Sequence, residues 1–385
     1  VDQLFQPPDI DLEDARVLDE IRAMRSSLAD VLRAPRRWAG GLRRTTQARA
    51  IQGSNTIEGY TVSDQDAVAA VDEEEPLTAD QRTWAEIIGY RRVLTFVLRM
   101  AADPEFVMRP FTLRSLHFML LEHDLAKDPG EFRRGTVYVR DEAAGTTVYE
   151  GPDAALVPRL VELLAADIQA GSDEPMVDGA MAHLNLVMIH PFRDGNGRMA
   201  RALQTLVLAQ DQVLEPTFSS IEEWLGHNTD DYYRVLAITG RGSWQPENDA
   251  SLWVKFNLRA HHMQAQTLER RFREADTTLL ALDELMSQHS IPDRLADALF
   301  DAVNLLRVRR QTYVRRTGVE ERTASRDLAR LVTTGLLEAR GQTRGRYYVA
   351  GGELRRLANR LRHERRPLTD PYPWLPGELR TLAGR

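Results

Sequence analysis

Two apolar runs of helical spacing, separated by one short polar loop, constrain this chain more than any other feature. Upstream, Ala180, Met181, Leu184, Val187 and Met188 mark a helix with one buried face, and downstream Met199, Ala202, Leu203 and Leu206 mark a second. Between them stands His190-Pro191-Phe192-Arg193-Asp194-Gly195-Asn196-Gly197-Arg198. Pro191 biases His190 away from helical geometry, so the histidine sits at a helix exit. Gly195-Asn196-Gly197 puts two residues without a Cβ around one that tolerates the left-handed region, just before the next helix begins.

That arrangement exposes consecutive backbone N–H groups to an anion, and the helix dipole adds to the attraction. Arg198 and Arg201 fall on neighbouring positions of the first helical turn, where both guanidinium groups could reach one polyphosphate. Asp194 supplies a hard carboxylate oxygen suited to Mg2+, which binds through one or two carboxylates plus substrate phosphates. His190 is the nearby group able to accept a proton near neutral pH. A Gly-Asn-Gly by itself is an ordinary turn, and a histidine before proline is ordinarily structural. A simple turn, however, does not require His190, Asp194, Arg198 and Arg201 together.

The totals set the frame. With 385 residues the chain exceeds one hydrophobic core, so two or three domains are expected. The absence of cysteine removes disulfides, thiolate metal sites and cysteine nucleophiles. A net charge of -7 argues against a protein wholly devoted to nucleic acid. Lysine occurs only at Lys127 and Lys255, so nearly all positive charge is arginine. Val1 to Ile10 has no basic start followed by an apolar run, and no stretch approaches the roughly 18 apolar residues of a membrane span, which reads as a cytoplasmic protein without membrane contact.

The expected fold is mainly α. Helical spacing runs from Leu12 to about Leu32, from Arg43 to Glu58 with Gly59 as the stop, from Thr78 to about Ala101, and from Phe111 to Glu122. The acidic run Asp72 to Glu75 before Pro76 reads as a loop. Thr136 to Val139 and Thr146 to Tyr149 are β-branched and aromatic, around a polar turn ending in Gly145, and read as a hairpin. Further helices follow at about Ala154 to Ala170, Val177 to His190, Arg198 to Gln210, Asp230 to Thr239 and Leu252 to Gln288. The implied division is an N-terminal helical region over 1–75, a catalytic core over 76–260, a connector helix over 261–290, and a C-terminal module with its tail over 291–385.

His190 to Arg201 resembles the signature of the Fic family, protein AMP-transferases: a histidine, any residue, phenylalanine, any residue, an acid, Gly-Asn-Gly-Arg, two free positions and a final arginine. Every defined position agrees, and the likeness extends over roughly Arg43 to Phe256. It implies a helical Fic core in which His190 deprotonates a target hydroxyl as that hydroxyl attacks the α-phosphate of ATP. Phe192 would anchor the loop and Asp194 would hold Mg2+. Gly195, Asn196 and Gly197 would bind phosphate oxygens through backbone and amide donors, and Arg198 and Arg201 would neutralise the outer phosphates. Gly130 to Gly151 resembles the family's flap, which docks an extended segment of the target protein. Tyr232-Tyr233-Arg234-Val235-Leu236, with Trp244 and Trp253 beyond, is similar to the region enclosing the adenine, which makes Tyr232 a nucleotide-binding candidate. Ser54-Asn55-Thr56-Ile57-Glu58-Gly59 resembles the inhibitory motif of the Fic class that carries its brake on an N-terminal helix, in which Glu58 would pair with Arg201.

Relatives of this fold transfer phosphate, phosphocholine or UMP; the retained glycines and Arg198 favour AMP. Removal of AMP from a modified protein is the nearest alternative, since Glu58 could position water. Past Pro292, Asp293 to Leu306 has a helix pattern. Thr312 to Thr317, Gly318 and Thr323 to Thr334 then read as helix, turn and second helix, and a strand pair follows around Gly341 to Arg346. This resembles a winged helix-turn-helix. Arg307 to Val349 holds eleven arginines and four acids, with Ser325, Arg326 and Arg330 on the second helix and Arg344 and Arg346 on the wing. A regulator that binds DNA there stays open beside the enzyme, as do self-modification and a homodimer.

Overall fold

The computed structural model describes residues 3–141, 146–304, 306–342, 346–363, 365 and 367–383. Asp11 accepts the N–H of Asp14 and starts α1 (Leu12–Arg33). Its buried face is Val17, Leu18, Ile21 and Leu28, whereas Leu12 and Ala15 face solvent. Next comes α2 (Ala39–Ile57), which begins ahead of Arg43, ends with Glu58 as its C-cap and turns at Gly59, whose φ of 84° suits glycine. Ser63 caps α3 (Asp64–Val71) and Asp80 caps α4 (Gln81–Met100), each accepting a first-turn N–H, and α5 (Pro110–Leu121) opens on proline.

Strands β1 (Tyr138–Asp141) and β2 (Thr146–Glu150) form an antiparallel pair with a register shift between Val139 and Arg140. The hairpin turn that includes Gly145 lies outside the described residues. Helices α6 (Val157–Ala170), α7 (Pro175–Ile189) and α8 (Asn196–Gln210) follow, then α9 (Glu222–His227), α10 (Thr229–Gly240) and the long α11 (Ser251–Gln288). The C-terminal part contains α12 (Ala296–Val303), α13 (Arg310–Thr317) and α14 (Glu321–Thr333). Strands β3 (Leu337–Arg340) and β4 (Tyr347–Ala350) come next, and then α15 (Gly352–His363) and α16 (Leu375–Ala383). Arg344 of the expected wing is likewise outside the described residues.

Three apolar cores organise these elements. One is built from α2, α4, α5, α6 and α8, with Leu94, Leu120, Leu164, Phe192 and Leu203 at its centre. A second joins α1, α7, α9, α10 and the first half of α11 around Trp253, Phe256 and Tyr232. The third packs the second half of α11 against α12 to α15 through Phe272, Leu285, Leu299 and Leu328. The stretch over 261–290 is therefore the continuation of one unbroken helix shared by two cores. The segment from Tyr372 through α16, grouped by sequence with the C-terminal module, packs back on α10 and α1 instead, and the Tyr372 hydroxyl donates to Asp14. In the C-terminal module Gly318, at φ 68°, makes the turn between α13 and α14, and Val308 bridges to Tyr348 beside the β3–β4 pair. Among the described residues no helix is long and apolar enough to cross a membrane.

Candidate active site

The loop between α7 and α8 is held from several directions. His190 is the C-cap of α7 in the left-handed region, at φ 49° and ψ 58°, a conformation that costs a non-glycine residue energy and persists only where its surroundings enforce it. The enforcement comes from Arg133: its Nε donates to the His190 carbonyl at 2.8 Å, its NH2 donates to the Pro152 carbonyl, and its backbone N–H donates to the Pro191 carbonyl at 2.9 Å. The Phe192 ring is fully buried and stacks on the His117 ring at 3.8 Å. His117 Nδ1 accepts the Gly130 N–H, so its Nε2 carries the proton that it donates to the Asp194 carbonyl at 3.0 Å. Sequence reasoning missed Arg133 and His117, because each acts from a distant part of the chain with no local motif.

Asn196 departs from its expected role. Its side-chain oxygen accepts the Phe192 N–H and its amide donates to the Phe192 carbonyl, both at 2.9 Å, so the amide closes the loop on itself. What remains toward an anion is the opening turn of α8, where the backbone N–H groups of Asn196, Gly197 and Arg198 have no acceptor within the helix. Gly195 sits at φ 76°, and its N–H donates to Asp194 Oδ1.

The two arginines are buried and already engaged. Arg198 NH1 pairs with Glu86, itself buried; burial raises the Glu86 carboxyl, yet the charges and hydrogen bonds of Arg198 and Lys127 together outweigh it and hold it down at about 2. Arg201 Nε donates to Ser54 Oγ at 2.8 Å, while NH2 donates to the Ser54 carbonyl at 3.0 Å and to Glu58 Oε1 at 2.6 Å. Burial opposes the charge on Arg201, and the Glu58 carboxylate more than offsets it, so its guanidinium is held protonated. Among the described residues Arg201 NH1 and Arg198 Nε are buried donors with no partner. Ser54 and Glu58 thus both lie against Arg201. A Cβ on Gly197 would stand 2.6 Å from Glu58 Oε1, so that glycine makes room for the carboxylate.

A pocket of about 680 Å3 is lined by Glu58, His190, Gly197, Arg201, Tyr233 and Leu236, and by Val148 and Tyr149 of the hairpin. The half-buried His190 ring makes a contact from Nδ1 to the Val187 carbonyl at 3.2 Å, which leaves Nε2 as the basic nitrogen. Burial pushes this imidazole down to about 4, so it is neutral at pH 7. Tyr232 borders the pocket too, but its hydroxyl turns inward to His183 at 2.9 Å and the residue is 1% exposed. It backs Arg201 with its ring face rather than offering a polar group to a ligand. Trp253 and Trp244 are core residues, the first bonded to the Ala180 carbonyl and the second packed on Phe5.

Asp194 suits a divalent ion. Burial raises its carboxyl, and the Lys127 ammonium at 2.8 Å overcomes that, keeping it ionised. No group of three or more acids and histidines able to hold a metal alone exists among the described residues, so an ion here would complete its shell with oxygens from water or a substrate.

Comparison with known proteins falls on the same segment. Residues 109–208 match the Fic/DOC family. This segment is similar to Fic/DOC domains. The chain is 35% identical over 135 residues to the protein adenylyltransferase Fic of Drosophila grimshawi, across 34% of this chain and 25% of that protein. It is 33% identical over 124 residues to the protein of the same name from Aedes aegypti, across 32% and 24%. The matched part spans about a quarter of the length of these relatives. Among solved structures, a Fic family protein from Desulfovibrio desulfuricans G20 superposes with a TM-score of 0.56 at 25% identity, over 90% of this chain and 99% of that one. Fic-1 from C. elegans shares the fold, with a TM-score of 0.52 at 20% identity over 69% of this chain and 73% of that one. The matched segment runs from α5 into α8 and includes the hairpin, and the pocket is assembled where α2 and α10 close on it.

Proposed function

We propose that this chain is a protein AMP-transferase restrained by its own α2. One observation carries the reading: His190, the unpartnered NH1 of Arg201, the N-terminus of α8 and Glu58 border a single pocket. In this reading the phosphates of ATP lie over the first turn of α8, where backbone N–H groups and the two arginines stabilise their charge. Mg2+, held by Asp194, would neutralise the phosphate oxygens. The hydroxyl oxygen of a serine, threonine or tyrosine in the target attacks the α-phosphorus, and its proton passes to His190 Nε2. The bond to the β-phosphate oxygen breaks, and pyrophosphate leaves. The target segment would lie along the hairpin, whose Tyr149 hydroxyl is anchored on the Met188 carbonyl beside His190.

Glu58 is the restraint. It takes up Arg201 and its carboxylate lies over Gly197, where an outer phosphate would have to rest. A second reading, removal of AMP by water, draws on Glu58 and His190 lining the same pocket. DNA binding by the C-terminal module is a separate proposal, supported by the exposed Arg322, Arg326 and Arg346. Against it, Arg307, Arg309, Arg315 and Arg316 are engaged by the chain's own acidic run from Asp72 to Glu75.

The deciding measurement incubates the protein and Mg2+ with ATP labelled at the α- or at the γ-phosphate. Retention on protein of α-label alone is the expected result. Retention of γ-label alone would mean phosphate transfer, and no retention with release of AMP from a modified protein would favour the reverse reaction. Sequence-selective, salt-sensitive duplex binding without labelling would favour the regulator.

A further inference from the structure

Lys127 sits beside the candidate metal carboxylate although no motif points to it. It closes a short turn, Leu125–Lys127, that is tied to the α7–α8 loop by Arg193, whose NH1 donates to the Ala126 carbonyl at 2.9 Å. Its ammonium lies 2.8 Å from Asp194 Oδ2 and 2.9 Å from Glu86 Oε1, and the side chain is 17% exposed. The other oxygen of Asp194, Oδ1, accepts the Gly195 N–H at 2.6 Å. The carboxylate is thus fixed in orientation by one oxygen, and the oxygen left to face an incoming ion is the one Lys127 covers.

We propose that Lys127 is a built-in cation standing at the metal-facing oxygen of Asp194, so that a divalent ion binds there only by displacing it. The proposal rests on the reading of Asp194 as the metal ligand. Residue choice supports it: in a chain whose default cation is arginine, lysine appears twice, and each time it bridges two carboxylates. Lys255 does so between Asp11 and Asp14, away from any phosphate-binding element. Lys127 does so between Asp194 and Glu86, and Glu86 in turn holds Arg198. A lysine head is a compact point charge that can swing off one partner while keeping the other, which the planar guanidinium fork does poorly. When the ion arrives, Lys127 gives up Asp194 and stays on Glu86, so Glu86 is never left with Arg198 alone. The consequence is a site that resists free metal and accepts an ion whose remaining ligands come with the nucleotide phosphates.

The test uses Mn2+ alone, without nucleotide, on the full chain, with bound ion read from its paramagnetic resonance signal. Lys127→Met should bind Mn2+ about tenfold more tightly than the wild type, as expected when a cation at contact distance is removed from a partly exposed site. Adding Asp194→Asn should abolish the gain. Lys127→Gln keeps a donor for Glu86 without the charge; it should show the same gain and stands in if Lys127→Met does not fold. Equal Mn2+ affinity in wild type and folded variants, or no Mn2+ binding by any of them, would overturn the proposal. Neither result touches the transfer reading, which the phosphate-label experiment decides separately.

Discussion

At the scale of single residues, His190 and Asn196 separate chemistry from scaffolding. His190→Ala should leave ATP binding nearly intact and lower AMP transfer by about 100-fold to 10,000-fold, the loss expected of a general base. Because burial holds the imidazole at about 4, the basic form is the resting one, and the acid limb of the transfer rate should fall well below pH 6 rather than at the ordinary histidine value. A limb at pH 6.5 with full activity in the alanine variant would take the proton transfer away from this residue. Asn196→Ala acts differently, since it strips the buried Phe192 N–H and carbonyl of their partners. It should cost about 1–3 kcal/mol of stability, seen as a lower Tm, with transfer lost because the loop loosens rather than because a phosphate contact disappears. Unchanged Tm together with weaker ATP binding would restore the amide to a ligand-binding role.

At the scale of elements, α2 is the part on which the proposed restraint rests. Glu58 is partly exposed, so Glu58→Gly should cost about 1 kcal/mol in helix propensity, with a further loss of up to about 3 kcal/mol because buried Arg201 loses its carboxylate until phosphate replaces it. Removing its carboxylate frees Arg201 for phosphate, and self-labelling from α-labelled ATP should rise clearly above wild type, while Glu58→Gly with His190→Ala stays silent. A folded Glu58→Gly that binds ATP normally and labels no faster would make Ser54 to Gly59 an ordinary helix end. The helices on either side of this contact were legible in sequence because each carries a long apolar face: α8 through Met199, Leu203 and Leu206, and α4 through Ile87, Tyr90, Leu94 and Val97. The short helices α3 and α9 were not. With eight residues, α3 draws its stability from Ser63, which accepts the Asp66 N–H, and from the Asp66 carboxylate, which accepts N–H groups from Leu77 to Ala79; six-residue α9 is held because Gly53 and Gly226 allow backbones to touch. Both depend on tertiary partners far along the chain, as do Arg133 and Lys127 in the site, and local periodicity carries no trace of such partners.

At the scale of the whole molecule, charge and protonation tie the parts together. Asp301 of α12 pairs with Arg44 of α2 and with Arg316 of α13, and Asp72 meets the same two arginines from the loop after α3. Asp301→Ala should therefore lower stability toward the lower end of about 3–5 kcal/mol, since Asp72 still answers both charges; a Tm within a degree of wild type would make the network incidental. The broader constraint is pH. Burial pushes four histidines far below their ordinary value, His117 and His190 to about 4 and His183 and His261 to about 3. Unfolded, each titrates near 6.5. As pH falls through that value the unfolded chain takes up protons that the folded chain refuses, so stability drops until the folded values are reached. Glu222 works the other way: burial raises it to about 7, so the folded state holds a proton there that the unfolded chain releases near 4.5, and its contribution is lost as pH rises through 7. Glu74, Asp167 and Asp297 are raised by burial as well, but less strongly, which leaves the four histidines in control between about pH 4.5 and 6.5. Tm should accordingly be lower at pH 5 than at pH 7, and His261→Gln, which removes one of the four while Glu222 cancels about one other, should shrink that difference by roughly a third. A Tm that stays level over this window in the wild type would mean that the buried imidazoles take up protons without unfolding the chain, and the neutral His190 that the proposed transfer requires would have to be reconsidered with them.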